Sequence, residues 1–221
     1  MSERMECPRD DRASVAALPH DETFCASGAC LSYFQNCYAE VVASWVRSES
    51  ELAWLAPGTP WPLTAEKVLV WGQERRERFL LWNGRDEFPI GYAELNEMPK
   101  TRDQLWIGHF MLDPVHRGCG WAVRFAQALL ARAFVERQAT DVLLVVVPDN
   151  ERAIRCYQRA GMIDQGQERK HFKTTRRDYL FNRMAISRGR FRKLAGLGQL
   201  PDTPLPIRGR PAAEAPSQAA V

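Results

Sequence analysis

Leu112-Asp113-Pro114-Val115-His116-Arg117-Gly118-Cys119-Gly120-Trp121-Ala122 joins an apolar run to a long helical pattern. Upstream, Leu105 to Leu112 is apolar and aromatic, and short enough to be a buried strand. Downstream, Val123, Ala126, Leu129, Leu130, Ala133 and Phe134 recur at helical spacing between Trp121 and Val135. The stretch therefore reads as strand, tight glycine loop and helix. Gly118 and Gly120 remove two side chains from the loop, so backbone N–H groups can converge on an anion where the helix presents unsatisfied donors. A phosphate or pyrophosphate is the implied ligand. Trp121-Ala122 stands where a nucleotide P-loop needs Lys-Ser or Lys-Thr, and the three-glycine dinucleotide spacing is also absent.

Beyond the helix, Asp141 to Val147 is a continuous aliphatic run typical of a buried strand, and Pro148-Asp149-Asn150 is a turn and helix-cap signal. Glu151 to Ala160 then reads as a helix ending at Gly161. Arg117-x-x-Gly120-x-Ala122, after Asp113-Pro114, resembles the acetyl-CoA loop of the GCN5-related N-acetyltransferase (GNAT) superfamily. Asn150-Glu151-Arg152-Ala153-Ile154-Arg155-Cys156-Tyr157, followed by Ala160-Gly161-Met162, resembles the same superfamily's later segment, in which an Asn ends a strand and a Tyr follows seven residues on. Two motifs in the right order, separated by one helix and one strand, meet the context that a motif match requires.

The resemblance spans roughly residues 31–187 and implies an α/β (α+β) fold: a mixed, mostly antiparallel central sheet flanked by helices, with a splayed strand pair that binds acetyl-CoA. Met111 and Leu112 would offer backbone hydrogen bonds to the pantetheine arm. Arg117, Gly118, Cys119, Gly120, Trp121 and Ala122 would surround the pyrophosphate, and Asn150 would be structural or face the CoA. Tyr157 matches the family position that gives a proton to the departing thiolate, a role a phenol can fill. For the general base, some members carry a glutamate on the strand before Asn150; here that strand reads Leu143-Leu144-Val145-Val146-Val147, without an acid. Glu94 and His109, ionisable groups in otherwise apolar strands, are the remaining candidates, beside a water relay.

The 221 residues, 45% hydrophobic and 26% charged, suit one core with two tails. The expected division is an irregular arm over 1–30, the acetyltransferase domain over 31–187, and a basic, then Pro/Ala-rich disordered tail over 188–221. Tyr38, Val41, Val42, Trp45, Val46 and Leu52 form a helical stripe within Leu31 to Leu55, and a second helix is expected near Thr64. By family analogy these helices border the acceptor, so Trp45, Trp54, Trp61 and Trp71 are candidate pocket walls, with core packing the commoner role for any one. Phe79 to Trp82, Asn83-Gly84-Arg85-Asp86 and Pro89 to Leu95 read as strand, turn and strand.

A net charge of +3 does not argue for nucleic acid, and the basic residues between Arg169 and Lys193 match no recognised nucleic-acid module. Neither a long apolar span nor a leader-like N-terminus is present, so no membrane partner and a cytoplasmic location are expected. The six cysteines show no Cys-x-x-Cys spacing, which suggests reduced thiols and no metal. The functional expectation is acetyl transfer from acetyl-CoA to a primary amine of a small molecule, peptide or protein in a ternary complex, by a chain that could be a homodimer. The competing expectation is a non-catalytic acyl-CoA sensor or scaffold whose basic C-terminal edge binds a partner.

Overall fold

The structure, a computed structural model, describes residues 24–71, 76–99 and 101–196. Eight strands form one sheet in the order β1-β2-β3-β4-β5-β6-β8-β7: β1 Phe24–Ala26, β2 Ala29–Tyr33, β3 Arg76–Trp82, β4 Gly91–Met98, β5 Thr101–Leu112, β6 Asp141–Val146, β7 Ile163–Phe172 and β8 Arg177–Ser187. Every neighbouring pair is antiparallel except β5–β6, which is parallel. The helices are α1 Ala39–Ser44, α2 Glu49–Leu55, α3 Ala65–Trp71, α4 Trp121–Ala131, α5 Glu151–Arg159 and α6 Arg188–Leu194. None of them is long and apolar enough to cross a membrane.

Alternation along the strands loads both faces of the sheet with apolar side chains, and each face has its own core. On one face Leu81, Leu95, Ile107 and Leu144 pack with Phe125, Leu129 and Phe134 from α4 and its π-helical continuation Arg132–Glu136, and with Tyr157 of α5. On the other, Leu80, Trp82, Tyr92 and Met111 meet Val42 of α1, Leu52 of α2 and Val68 and Trp71 of α3. Gly91 permits the close approach on the first face. A Cβ there would lie 2.7 Å from Leu112 Cδ2 and 3.1 Å from both Leu81 Cβ and Phe125 Cε1.

The sheet opens between β5 and β6. Their pairing is confined to Gln104–Asp141, Leu105–Val142 and Trp106–Leu143. Past Trp106, β5 stays on β4 as far as Leu112–Gly91, while β6 follows β8 to Val146–Asn182. Among the described residues, the side of β5 that faces away from β4 therefore has no strand partner over its last residues, and the gap connects the two faces of the sheet.

Several expectations shift. Leu31 is the middle of a strand, and the helical stripe takes hold only from Ala39, because β2 is captured by pairing along β3 from Cys30–Trp82 to Tyr33–Phe79. Ser48 caps α2 by accepting from Glu51 N at 3.2 Å, which divides the expected single helix in two. Asn96 to Gln104, read as a polar connection, is largely strand, since β4 and β5 run on to the Met98–Thr101 pair. Regular structure also reaches past both ends of the 31–187 span, through the β1–β2 hairpin and α6. The rest of the expected arm and tail lies outside the described residues. Cys25 and Cys30 stand opposite each other in that hairpin and are disulfide-bonded, so the expectation of reduced thiols fails there. A five-residue separation across a turn is not visible as a cysteine motif.

Candidate active site

The loop after β5 has the geometry of an anion cradle. Asp113 accepts from Val115 N at 3.1 Å and closes a 3-10 turn over Pro114–His116. Gly118 and Gly120 follow with φ of +82° and +84°, a region L side chains avoid, and no atom lies within 4 Å of where either Cβ would stand. Gly120 is the N-cap of α4, and the first bond of the helix runs from Arg124 N to Gly120 O at 3.3 Å. The N–H groups that precede Arg124 in this turn have no intrahelical acceptor. Open glycines at a helix N-terminus fit a pyrophosphate.

Arg117 contributes here in a way its sequence position does not suggest. Its side chain turns away from the cradle: Nε donates to Leu112 O at 3.1 Å, Nη2 to Trp45 O at 2.9 Å and Nη1 to Glu51 Oε1 at 2.7 Å. It straps the end of β5 to α1 and α2. Met111 and Leu112, both buried, border the open side of β5, with the Leu112 carbonyl already taken by Arg117. Trp121 and Ala122 begin α4, and Cys119 is exposed in the loop.

Asn150 and Tyr157 share α5. Asn150 caps it, Oδ1 accepting from Ala153 N at 3.2 Å, which is a structural role. Tyr157 is 7% exposed and stands edge-on to Phe110 of β5, ring centroids 5.6 Å apart. Burial, with a smaller push from neighbouring Cys156, raises its phenol well above the ordinary value, so it stays protonated. Its hydroxyl makes no hydrogen bond to another described residue. Burial likewise pushes the Cys156 thiol up to about 12, which keeps it from acting as a thiolate nucleophile.

On the opposite face lies a polar cluster that no periodicity predicts. Between the Tyr92–Met111 and Glu94–Gly108 pairs, Ala93 faces two residues, His109 and Phe110. This bulge is held by His109 at φ +43°, a region where His is better tolerated than most side chains. It sends Phe110 toward Phe125 and Tyr157, and His109 to the other face against Trp71 and Glu94. His109 Nδ1 is 2.9 Å from Glu94 Oε1, and its ring stacks on Trp71 at 4.0 Å with 10° between planes. Tyr92 Oη donates to Glu94 Oε1 at 2.8 Å and Asn96 Nδ2 to Oε2 at 3.2 Å.

Glu94 is fully buried. Burial by itself raises its carboxyl, but hydrogen bonding and charge from His109, with the bonds from Tyr92 and Asn96, outweigh it and hold the pKa below the ordinary value. An ionised carboxylate only accepts, so Nδ1 carries a proton, and in the neutral imidazole Nε2 is the nitrogen with the lone pair. The two sequence candidates for the base are therefore one hydrogen-bonded unit. Trp71, Tyr92 and Asn96 escaped the sequence reading as its supports because the bulge alone decides that His109 turns toward them.

Trp71 extends the unit to a cleft. Its Nε1 donates to Thr59 Oγ1 at 2.9 Å, and Thr59 lines a cavity of about 350 Å³ between α2, the proline-rich loop that follows it and the β7–β8 hairpin. Thr175 Oγ1 donates to Pro57 O at 3.0 Å and pins the hairpin to that loop. Of the four candidate tryptophans, Trp61 lines the cavity, Trp71 hydrogen-bonds its lining residue Thr59, Trp45 is core and Trp54 is exposed.

A family profile described as acetyltransferase (GNAT) family matches residues 46–162, more than half of the 221-residue chain. The chain belongs to the acetyltransferase (GNAT) family. As a member of that family it is an N-acetyltransferase. Similar solved structures share its fold. Spermidine N-acetyltransferase from Vibrio cholerae, in complex with CoA and spermine, is 16% identical with a TM-score of 0.63, over 75% of this chain and 99% of that one. The aminoglycoside acetyltransferase AAC(6')-Ib, in complex with coenzyme A and kanamycin, is 21% identical with a TM-score of 0.60, over 76% and 99%. The GNAT loop and splay, inferred from two short motifs, thus sit in a whole fold of that kind.

Proposed function

We propose that this GNAT protein acetylates a primary amine by direct transfer in a ternary complex, with His109 as general base, Glu94 as its positioning residue and Tyr157 as general acid. The observation that carries the reading is the 2.9 Å Glu94–His109 contact, placed by the bulge beside the β5–β6 opening. Acetyl-CoA supplies an activated thioester. On the α4–α5 face, the N–H groups of Gly118, Cys119, Gly120, Trp121 and Ala122 would hold its pyrophosphate. Met111 and Leu112 would align the pantetheine along the open side of β5, and the Asn150 amide nitrogen, unused by the cap, could face it. The amine arrives from the α1–α3 face, where His109 Nε2 takes its proton. A new N–C bond forms as the C–S bond breaks, and Tyr157 passes its proton to the sulfur. Donor and acceptor enter on opposite faces and meet in the gap between β5 and β6.

Thiol release from acetyl-CoA, followed against pooled amines, tests the assignment. Wild type should turn over with at least one pool, while Tyr157→Phe should lose roughly 10²-fold or more in kcat, the lower end of the range for a positioned acid. Unchanged kcat in Tyr157→Phe, with chemistry rate-limiting, would remove Tyr157 from the mechanism. Acetyl-CoA binding without turnover on any pool would favour the sensor reading instead.

A further inference from the structure

The anion cradle between β5 and α4 is held from its ends. Nothing lies within 4 Å of where a Cβ would stand on Gly118 or Gly120, so these two glycines, with the most backbone freedom of any residue, bring no packing to the loop. Its far end is α4. Its near end, the 3-10 turn Pro114–His116, is gripped on two sides. Arg117 is strapped to α1 and α2, and His116 reaches the other way, to the turn between β3 and β4. His116 Nε2 is 2.7 Å from Asp86 Oδ2, and Nδ1 is 3.5 Å from Asp113 Oδ2. Nδ1 is buried and makes no hydrogen bond to another described residue, so its contact with Asp113 is one of charge. Asp86 is itself fixed. Asn83 Nδ2 donates to its Oδ2 at 3.0 Å, while Asn83 Oδ1 accepts from Arg85 N at 2.9 Å and from Asp86 N at 3.0 Å. Asp113 N donates to Ile90 O at 2.9 Å, which ties the backbones beside this pair.

We infer that His116 is a positioning residue for the acetyl-CoA pyrophosphate, acting through the backbone of the cradle and by covering two carboxylates that would otherwise repel the ligand. This rests on the reading of the loop as the donor site. The imidazole faces a carboxylate at each nitrogen, a place that a cation fills best. Asp113 opens the cradle loop, and Asp86 stands beside the same turn, so without His116 both would present negative charge next to a site built for an anion. Asp86 is 41% exposed, and the pair adds little to global stability. Its effect is local: it orders, before the ligand arrives, a loop whose ordering would otherwise be set against the binding energy.

The test is calorimetric titration of the full chain with acetyl-CoA, in wild type, His116→Gln, His116→Arg and the double variant His116→Gln/Asp86→Asn. His116→Gln should weaken binding about tenfold, while His116→Arg, which keeps a cation between the carboxylates, should stay within about threefold of wild type. Adding Asp86→Asn to His116→Gln should cause no further loss, because the two residues act as one unit. Urea unfolding, run alongside, should leave the midpoint of His116→Gln close to that of wild type. Undiminished binding in His116→Gln overturns the inference, as does a loss in His116→Arg equal to that in His116→Gln, or a further loss in the double variant. Absence of binding to wild type would fail the loop reading itself, and the role of His116 with it; wild-type binding that His116→Gln leaves intact fails the role of His116 alone.

Discussion

In the proposed mechanism Glu94 readies His109 as the base by leaving its Nδ1 no role except donor. Replacing His109 with Gln removes the proton acceptor, and kcat should fall by roughly 10²- to 10⁴-fold in a thiol-release assay. Glu94→Gln keeps the shape and removes the charge. A lost charge-assisted hydrogen bond, about 1.5–3 kcal/mol, corresponds to a fall of about tenfold or more in kcat/KM. The glycine turn before α4 and the place of Tyr157 on α5 were legible in the sequence because each motif is local: a few consecutive residues fix the geometry. The Glu94–His109 pair was not, since strict alternation would send His109 to the α4 face and only the Ala93 bulge reverses it. The pair was visible as two isolated polar residues without a reason to meet.

At the scale of elements, tertiary pairing overrode local pattern in several places. Leu31 lies in a segment with helical periodicity yet joins the sheet, because Ser32 and its neighbours are held by β3; Trp82 Nε1 donates to Ser32 Oγ at 2.8 Å. The basic C-terminal run, readable as a solvated edge, is partly fastened to the fold. Arg188 Nε donates to Ala139 O and Arg190 Nε to Gly161 O, both at 2.7 Å. Arg117 belongs to the same class. Arg117→Met should lower stability by about 1 kcal/mol in urea unfolding, a figure kept small because the side chain is over a third exposed and solvent screens its ion pair. Packing of α4 on the sheet is tighter. Gly91→Ala would press a methyl against Leu112, Leu81 and Phe125, and should cost about 1–3 kcal/mol by overpacking, read as a lower Tm.

Across the whole molecule, the order of strands matters most where pairing stops. The sheet has a core on each face and opens between β5 and β6, and the proposed acid and base stand on the two sides of that opening. The same arrangement couples chemistry to stability. Glu94 is held below its ordinary 4.5 in the folded state, so its contribution is present above that value and is lost as pH falls through the lower folded pKa. Wild type should therefore lose unfolding free energy faster than Glu94→Gln from about pH 5 downward, a difference that urea titrations at stepped pH would reveal. All of this presumes that the loop before α4 holds the donor. Calorimetric titration with acetyl-CoA tests that most directly: wild type should show saturable single-site binding, and Gly120→Glu, which places a carboxylate in the pyrophosphate cradle, should abolish it while remaining folded by circular dichroism. Absence of binding to wild type, or undiminished binding to Gly120→Glu, would contradict the account.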